Sequence, residues 1–591
     1  MLPVAALGLV GRGFRTEMRP AMNDPLVETN CVSCGNCIDA CPTGALTVKL
    51  PYPGRACLEV VERSTRCSVC SLQCAVRVMS HGPARYYITS SGVPGDYLCR
   101  YGRFANELYI GSRRISAPSV RRGAGTVSTD ACTAVREAVA GLRKAASDYG
   151  SGAVAVFVSA ESTLEEMYLA SRIAREGLGT GNIGSLAASC SSGDPAALDG
   201  MLGFTASTAG REALAQADLV ICSNTSLEGD HPVLAVDVLE AVRKRGARLV
   251  VVNSALDDAD RILSRAALDP VRGTAAVLWA GIVRKLVDTG AIAEKAVSSV
   301  AGGAEFIASL GRTFEEACGT AGVDPDAARA VSDALAGASR TVIIHTPDRV
   351  RDRARGDLEI LASLAVLVNA SGRRVDILLP RVLPNGAALE VAGASPAFLP
   401  GRRPAGAGHP DLARALEDGS IRAALVIGED PLGSDRTAAW FRNVDFLAAV
   451  DWASTETTRS ADVVLPGSTG LEGSGTRLDF TGTARVFNRA VEPPAGIGTA
   501  GVLAMTAEEC GIAIGGGPIG DAVREALEAG AGEAAGFYWN DGVHPAWDGS
   551  GRLGPVETGL EPGRLCPPLT LTAQYRAGIA EVGDARYRVR S

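Results

Sequence analysis

The chain has 591 residues, which at ~150 residues per domain suggests roughly four domains. Lys+Arg 58 against Asp+Glu 66 leaves a net charge of −8, which excludes the basic face a nucleic-acid binder needs to displace counterions. Hydrophobic residues make up 46% but aromatics only 5%, and 69 glycines are present, so this is an Ala/Gly-rich globular chain, neither disordered nor fibrous. No apolar run reaches the ~18 residues of a membrane span. The apolar opening Met1–Val10 has no preceding positive charge and no cleavage pattern. No signal peptide is therefore expected, and the expected compartment is the cytoplasm, with peripheral attachment to the inner face of the membrane only through partners.

Nine of the 15 cysteines fall in the first hundred residues, and in a large cytosolic chain such clustering predicts metal ligands rather than disulfides. The first group is Cys31-Val32-Ser33-Cys34-Gly35-Asn36-Cys37-Ile38-Asp39-Ala40-Cys41-Pro42, the C-x2-C-x2-C-x3-C-P run of bacterial ferredoxins. Three thiolates on one tight loop cap three irons of a [4Fe–4S] cube. Gly35 lets the backbone turn around the sulfides, and Pro42 stops the loop continuing as a helix. In two-cluster ferredoxins the fourth cysteine of each run serves the other cluster. With one run here, the fourth ligand stays open between Cys41, Cys57 and a partner. The second group is Cys67, Cys70, Cys74 and Cys99, whose spacing fits another [4Fe–4S] site. Val76–Val78 and Tyr86–Thr89 are expected to form a small hairpin that returns Cys99 to the others. Zinc is the weaker alternative at both groups. Arg66, Arg77, Arg100 and Arg103 are either ordinary solvated charges or groups that raise the potential of the second site.

Beyond residue 150, short β-rich runs alternate with Ala/Leu helical segments, which predicts parallel sheets with crossover helices. The predicted strands are Val154–Val158, Leu219–Cys222, Leu249–Val252, Val342–Ile344, Val375–Leu379, Ala424–Ile427, Phe446–Val450 and Val463–Leu465. They end in polar loops, beyond which ligands of such sheets sit. Ser162-Thr163-Leu164-Glu165 is expected to be a capping box opening a helix that runs to about Gly177. Gly179-Thr180-Gly181-Asn182-Ile183-Gly184 matches G-x-G-x-x-G but follows a helix, so a turn is expected rather than a dinucleotide loop.

The Cys99-Arg100-Tyr101-Gly102-Arg103-Phe104 ending resembles the cluster domain that opens molybdopterin oxidoreductases of the DMSO-reductase superfamily. With Gly11-Arg12-Gly13-Phe14 and Glu28-Thr29-Asn30 ahead of the first cysteines, it is similar to the G-type subunit of NADH:quinone oxidoreductase (complex I) and to NAD-linked formate dehydrogenase alpha subunits. In those families further cluster domains precede this point, so the chain is expected to be shortened at its N terminus, split from another gene or started late. The resemblance continues through Asn224, Glu228-Gly229-Asp230-His231-Pro232, then Asn385-Gly386, Gly393-Ala394 and Leu399-Pro400-Gly401. It ends in Gly428-Glu429-Asp430-Pro431, Ala461–Pro466 and Glu472 to Thr476.

That resemblance implies a half ferredoxin-like segment (1–60), a [4Fe–4S] domain (61–115), an α/β domain built from 116–184 and 336–510, an inserted α/β domain (185–335) and a Gly/Ala/Pro-rich tail (511–591) without a recognisable pterin-binding domain. It also implies molybdopterin guanine dinucleotide with Mo or W. Asn224, Glu228, His231, Gly428 and Glu429 are the expected pterin contacts and Cys190 the metal ligand. Several positions depart from the pattern: Ser191 replaces the histidine beside the ligand, Tyr101 a lysine, Asn253-Ser254-Ala255 an Asp-Pro-Arg, and Arg272–Ala275 a Pro-Gly-Thr-Asp. These losses remove charge and hydrogen bonds from one ligand and predict that the molybdenum cofactor is absent, with Cys190 a buried thiol. The expected function is an iron–sulfur electron-transfer subunit of an NAD(P)H- or hydrogen-linked complex. Its partners would be a flavin/iron–sulfur NADH-oxidising subunit or a hydrogenase module. The alternatives are a formate dehydrogenase-like catalyst and a non-redox scaffold.

Overall fold

One mainly parallel sheet and one wholly parallel sheet organise the chain. The computed structural model describes residues 6–26, 31–47, 60–81, 85–93, 96–187, 195–203, 205–256, 260–261, 264–348, 356–406, 411–514, 520–521, 523–524 and 547–556. Cys57, Cys190, Ser191 and most of the expected tail lie outside these residues.

The first sheet has seven strands in the order Gly125–Ser128, Ser119–Arg122, Val463–Pro466, Phe446–Asp451, Ala423–Ile427, Val154–Val158 and Ile183–Gly184. The last five are parallel, and the hairpin Ser119–Arg122/Gly125–Ser128 joins them antiparallel at one edge. Val154–Val158 and Ala423–Ile427 are buried at every position, as strands covered on both faces must be. The helix Leu164–Arg172 makes the crossover from Val154–Val158 to Ile183–Gly184. Its capping box lies one residue later than predicted, between Thr163 and Glu166, because Glu165 points elsewhere: its carboxylate accepts from the Thr476 N–H (2.8 Å) and hydroxyl (2.7 Å). The helix passes into a π-turn over Ile173–Gly177.

The second sheet has five parallel strands in the order Ala266–Leu268, Arg248–Val252, Leu219–Ser223, Arg340–His345 and Arg374–Leu378. Its core is centred on Trp279 of the helix Ala275–Asp288, whose indole N–H donates to Ser223 Oγ (3.1 Å). This sheet corrects the expected boundary at 335/336. Arg340–His345 pairs residue for residue with Leu219–Ser223, so the insertion runs on past Leu378 before the chain returns to the first sheet.

The second cysteine group sits on a three-stranded antiparallel sheet, Val61–Arg66, Ala75–Ser80 and Tyr86–Ser90. The predicted hairpin supplies two strands, and alternation buries Val76, Val78, Tyr86 and Ile88. Two short helices, Arg100–Arg103 and Ala105–Gly111, close this unit, and Tyr109 meets Trp452 of the first sheet edge-on at 5.6 Å. Arg114 fastens the joint: its guanidinium takes both oxygens of the buried Glu472 (2.7 and 2.6 Å) and donates to the Trp452 carbonyl (3.0 Å). Among the described residues no helix is long and apolar enough to cross a membrane.

Candidate metal and cofactor site

Cys67, Cys70, Cys74 and Cys99 line one pocket, with Val69, Leu72 and Leu98 as apolar walls. The hairpin brings this about: Cys74 leads directly into Ala75–Ser80, and the chain returns after Tyr86–Ser90 to place Cys99 at the start of the turn Arg100–Arg103. Gly102 is needed for closeness, since a Cβ there would come within 2.9 Å of Cys67 Sγ and 2.8 Å of Leu98 Cδ1. Burial pushes the Cys67 and Cys74 thiols up, and repulsion from the neighbouring cysteines adds to it. Such thiols ionise only onto cations. Among the described residues no three Cys, His, Asp or Glu side chains gather about a single metal ion. Four thiols lining one pocket have the donor chemistry of an iron–sulfur cube, and the residues fit that group.

Cys31, Cys34 and Cys37 act on one another electrostatically, each coupling burial with like-charge repulsion at Cys34 and Cys37. Cys41 has its own hydrogen-bond partners. The N–H of Leu46 and the hydroxyl and N–H of Thr43 bring its thiol down to about 7. Of the arginines, Arg66 donates to the Gln73 carbonyl, Arg77 pairs with Glu62, and Arg100 donates to the Tyr101 hydroxyl at 3.2 Å. Arg103 turns to the first cysteine loop, pairing with Asp39.

Five residues were expected at the pterin. His231 lines the cysteine pocket, with Asp230, Pro232 and Val233. Glu228 faces Arg100: burial opposes the charge of that guanidinium, but Tyr101, Glu228 and Cys99 together hold its pKa above the usual value. Asn224, at φ +50°, donates to the Thr346 carbonyl (2.9 Å), while its Oδ1 is buried with no hydrogen-bond partner. Glu429 accepts from Ser185 Oγ (2.6 Å) and from the N–H groups of Leu186 (3.1 Å) and Ala187 (3.3 Å).

Gly428 lines a cavity of about 50 Å³ at the carboxyl ends of the first sheet, where Asp451, Glu161, Glu166, Thr469 and Arg477 meet. Arg477 Nε and Nη1 and Thr469 Oγ1 are buried there without protein partners, and the guanidinium stacks on Phe487 at 3.9 Å. Nothing in the sequence pattern marks Arg477 or Asp39. Each gains its role from a partner far along the chain.

The charge pattern at the second sheet is closed. Asn253 Oδ1 accepts from the Thr225 N–H (3.0 Å), and Nδ2 donates to the Thr225 carbonyl (2.8 Å) and Asp260 (3.1 Å). Asp430 Oδ1 is likewise taken by the Thr457 N–H and hydroxyl. Asn253 and Asp430 thus spend these hydrogen bonds inside the protein, whereas Asn224 Oδ1, Arg477 Nε and Nη1 and Thr469 Oγ1 keep theirs unspent.

Residues 114–496 match the family model for molybdopterin oxidoreductase, well over half of the chain. The chain belongs to the molybdopterin oxidoreductase family. A 4Fe–4S binding domain also matches at residues 25–47, over the first cysteine run. Among curated relatives of this family member, NADPH-Fe(3+) oxidoreductase subunit alpha of Geobacter sulfurreducens is 26% identical over 83% of the chain and 60% of the relative. The second G-type subunit of NADH-quinone oxidoreductase from Rhizobium meliloti is 26% identical over 83% of the chain and 58% of the relative. F420-dependent formate dehydrogenase subunit alpha of Methanocaldococcus jannaschii is 24% identical over 73% of the chain and 67% of the relative. The chain thus spans about 60% of the length of the first relatives it matches. Acetylene hydratase from Pelobacter acetylenicus shares the fold, with a TM-score of 0.61 at 16% identity over 76% of this chain and 69% of that one.

Proposed function

We propose that this family member is an electron-transfer subunit. It carries one [4Fe–4S] centre on Cys31, Cys34 and Cys37 with a fourth ligand, and another on Cys67, Cys70, Cys74 and Cys99. The observation that carries this is the convergence of four thiols on one pocket, beside a docked ferredoxin run. When bound, the cubes supply one-electron capacity. The chain's own residues hold them, exclude water through Val69, Leu72 and Leu98, and place His231 and the start of the helix Pro232–Arg245 against the second pocket. A helix N-terminus there favours the added negative charge of a reduced centre.

In this proposal the pterin site is vestigial and the α/β body is docking surface. The internal saturation of Asn253, Glu429 and Asp430 supports that. The relatives include subunits of an NADPH-Fe(3+) oxidoreductase and an NADH-quinone oxidoreductase, which supports membership of a larger redox assembly. In this proposal that assembly is NAD(P)H- or hydrogen-linked, with a flavin/iron–sulfur or hydrogenase partner and attachment to a membrane face only through such partners. Iron and molybdenum analysis of anaerobically purified protein tests it. About eight irons and no Mo or W are expected. About four irons would leave a single centre and an iron-free protein a scaffold, whereas stoichiometric Mo or W with formate-dependent dye reduction would make Cys190 a metal ligand and the chain a catalyst.

A further inference from the structure

The two cysteine groups lie 26 residues apart at their nearest, Cys41 to Cys67, yet the structure joins them by side chains. Arg103 follows Cys99 by one helical turn and is 3% exposed. Its Nε donates to the Cys34 carbonyl (2.8 Å), and Nη1 to Asp39 Oδ1 (2.9 Å) and the Ile88 carbonyl (3.3 Å). Nη2 closes a fork on Asp39 Oδ2. Asp39 also accepts from the Ser90 N–H (3.2 Å) and hydroxyl (2.9 Å), which ties it to the sheet under the second pocket. On the other side Asn36 Nδ2 donates to the Leu98 carbonyl (3.3 Å), and the Leu98 N–H donates back to Asn36 Oδ1 (3.5 Å). Gly35, at φ +69°, leaves the space through which Arg103 passes, since a Cβ would collide with its Cδ and Nε.

This arrangement is more than a surface contact. A buried guanidinium that spends its donors on one carboxylate and two carbonyls fixes orientation, because the planar fork accepts little else. The bonded steps between the groups run through it. Cys37 adjoins Asn36, which reaches Leu98 and so Cys99. The Cys34 carbonyl reaches the Arg103 side chain, whose own backbone N–H donates to the Cys99 carbonyl (2.9 Å).

We propose that Arg103, with Asp39 and Asn36, is the positioning element that puts the two iron–sulfur centres in electronic contact. The proposal rests on the two-centre function above. The step it serves is one electron: the centre on Cys31, Cys34 and Cys37 loses one and the centre on Cys67, Cys70, Cys74 and Cys99 gains one, with no bond made or broken. Either direction uses the same contacts.

The test uses the full chain, anaerobically purified with its irons, alongside R103M, R103K and N36A. Iron per chain, the spin–spin interaction of the doubly reduced protein by paramagnetic resonance, and the rapid-freeze rate of electron arrival at the second centre are measured. In R103M, loss of charge-assisted hydrogen bonds is expected to release the loop about tenfold more often. The interaction then broadens away and the rate falls by a comparable factor at unchanged iron, with R103K recovering part of it and N36A showing a smaller slowing. Wild-type interaction and rate in both R103M and N36A would overturn the proposal. Should R103M lose iron, N36A decides: a slowed rate supports the clamp and an unchanged one refutes it. A wild-type protein with fewer than two reducible centres fails the two-centre function itself, whereas two centres indifferent to these substitutions fail only the clamp.

Discussion

Replacing Glu429 by glutamine should unfasten the loop that leads toward Cys190. The carboxylate meets only donors: Ser185 Oγ and the Ala187 N–H on Oε1, and the Leu186 N–H on Oε2. A glutamine amide has one acceptor oxygen, so either orientation turns its NH2 against a backbone N–H. Each buried N–H left unpaired costs about 1–3 kcal/mol, or roughly 5–150-fold in local opening. Above about pH 7, where the wild-type carboxyl is ionised, hydrogen exchange of a peptide spanning Ile183–Ala187 should accelerate by that factor in E429Q, while peptides from the five-stranded sheet stay unchanged. The pH profile carries a second signature. Burial pushes the Glu429 carboxyl from 4.5 up to about 7, outweighing its three donors. The folded chain then holds a proton that the unfolded chain releases between pH 4.5 and about 7. This contribution to stability is full below that window and lost as pH rises through it, with a slope of at most ~1.4 kcal/mol per pH unit that E429Q removes. Identical exchange in E429Q and wild type at that pH would refute the anchoring role.

Asp451 behaves alike: burial, with Asp430 and Glu161 adding, lifts its carboxyl from 3.8 to about 8. Melting temperature should therefore fall as pH rises across that window, and D451N should flatten the decline. R114M strands the buried Glu472 carboxylate and is expected to cost ~3–5 kcal/mol in urea titrations, most of it recovered in R114M/E472L, and an unchanged midpoint in R114M would count against the joint. C74S should remove about four of about eight irons and leave the ferredoxin-run signal intact, and loss of both signals together would show that the centres do not assemble separately.

The regular body was legible because parallel strands covered on both faces are nearly continuous apolar runs. All eight predicted strands exist, Val154–Val158 with both ends as predicted and the others within two residues, as in Arg340–His345 for Val342–Ile344. What pattern alone misplaced was pairing. Arg340–His345 and Arg374–Leu378 look like any other strand, and only their register against Leu219–Ser223 assigns them to the inserted sheet. Val61–Arg66 escaped notice because four of its six residues are exposed. The cysteine spacings located both sulfur groups. The Arg103–Asp39 fork, 64 residues apart in sequence, left no local trace, nor did the cavity setting of Arg477. The motif at Asp230-His231-Pro232 gave no hint that this loop also borders the thiols.

The nesting of one sheet inside the other sets an order of events during synthesis. Strand Val154–Val158 leaves the ribosome early, but its neighbour Ala423–Ile427 follows more than 260 residues later. The guest sheet, continuous from Leu219 to Leu378, is complete before its host has a closed edge. At ~5–20 residues per second the host edge waits tens of seconds unpaired, a window in which chaperones or a nascent partner would find it.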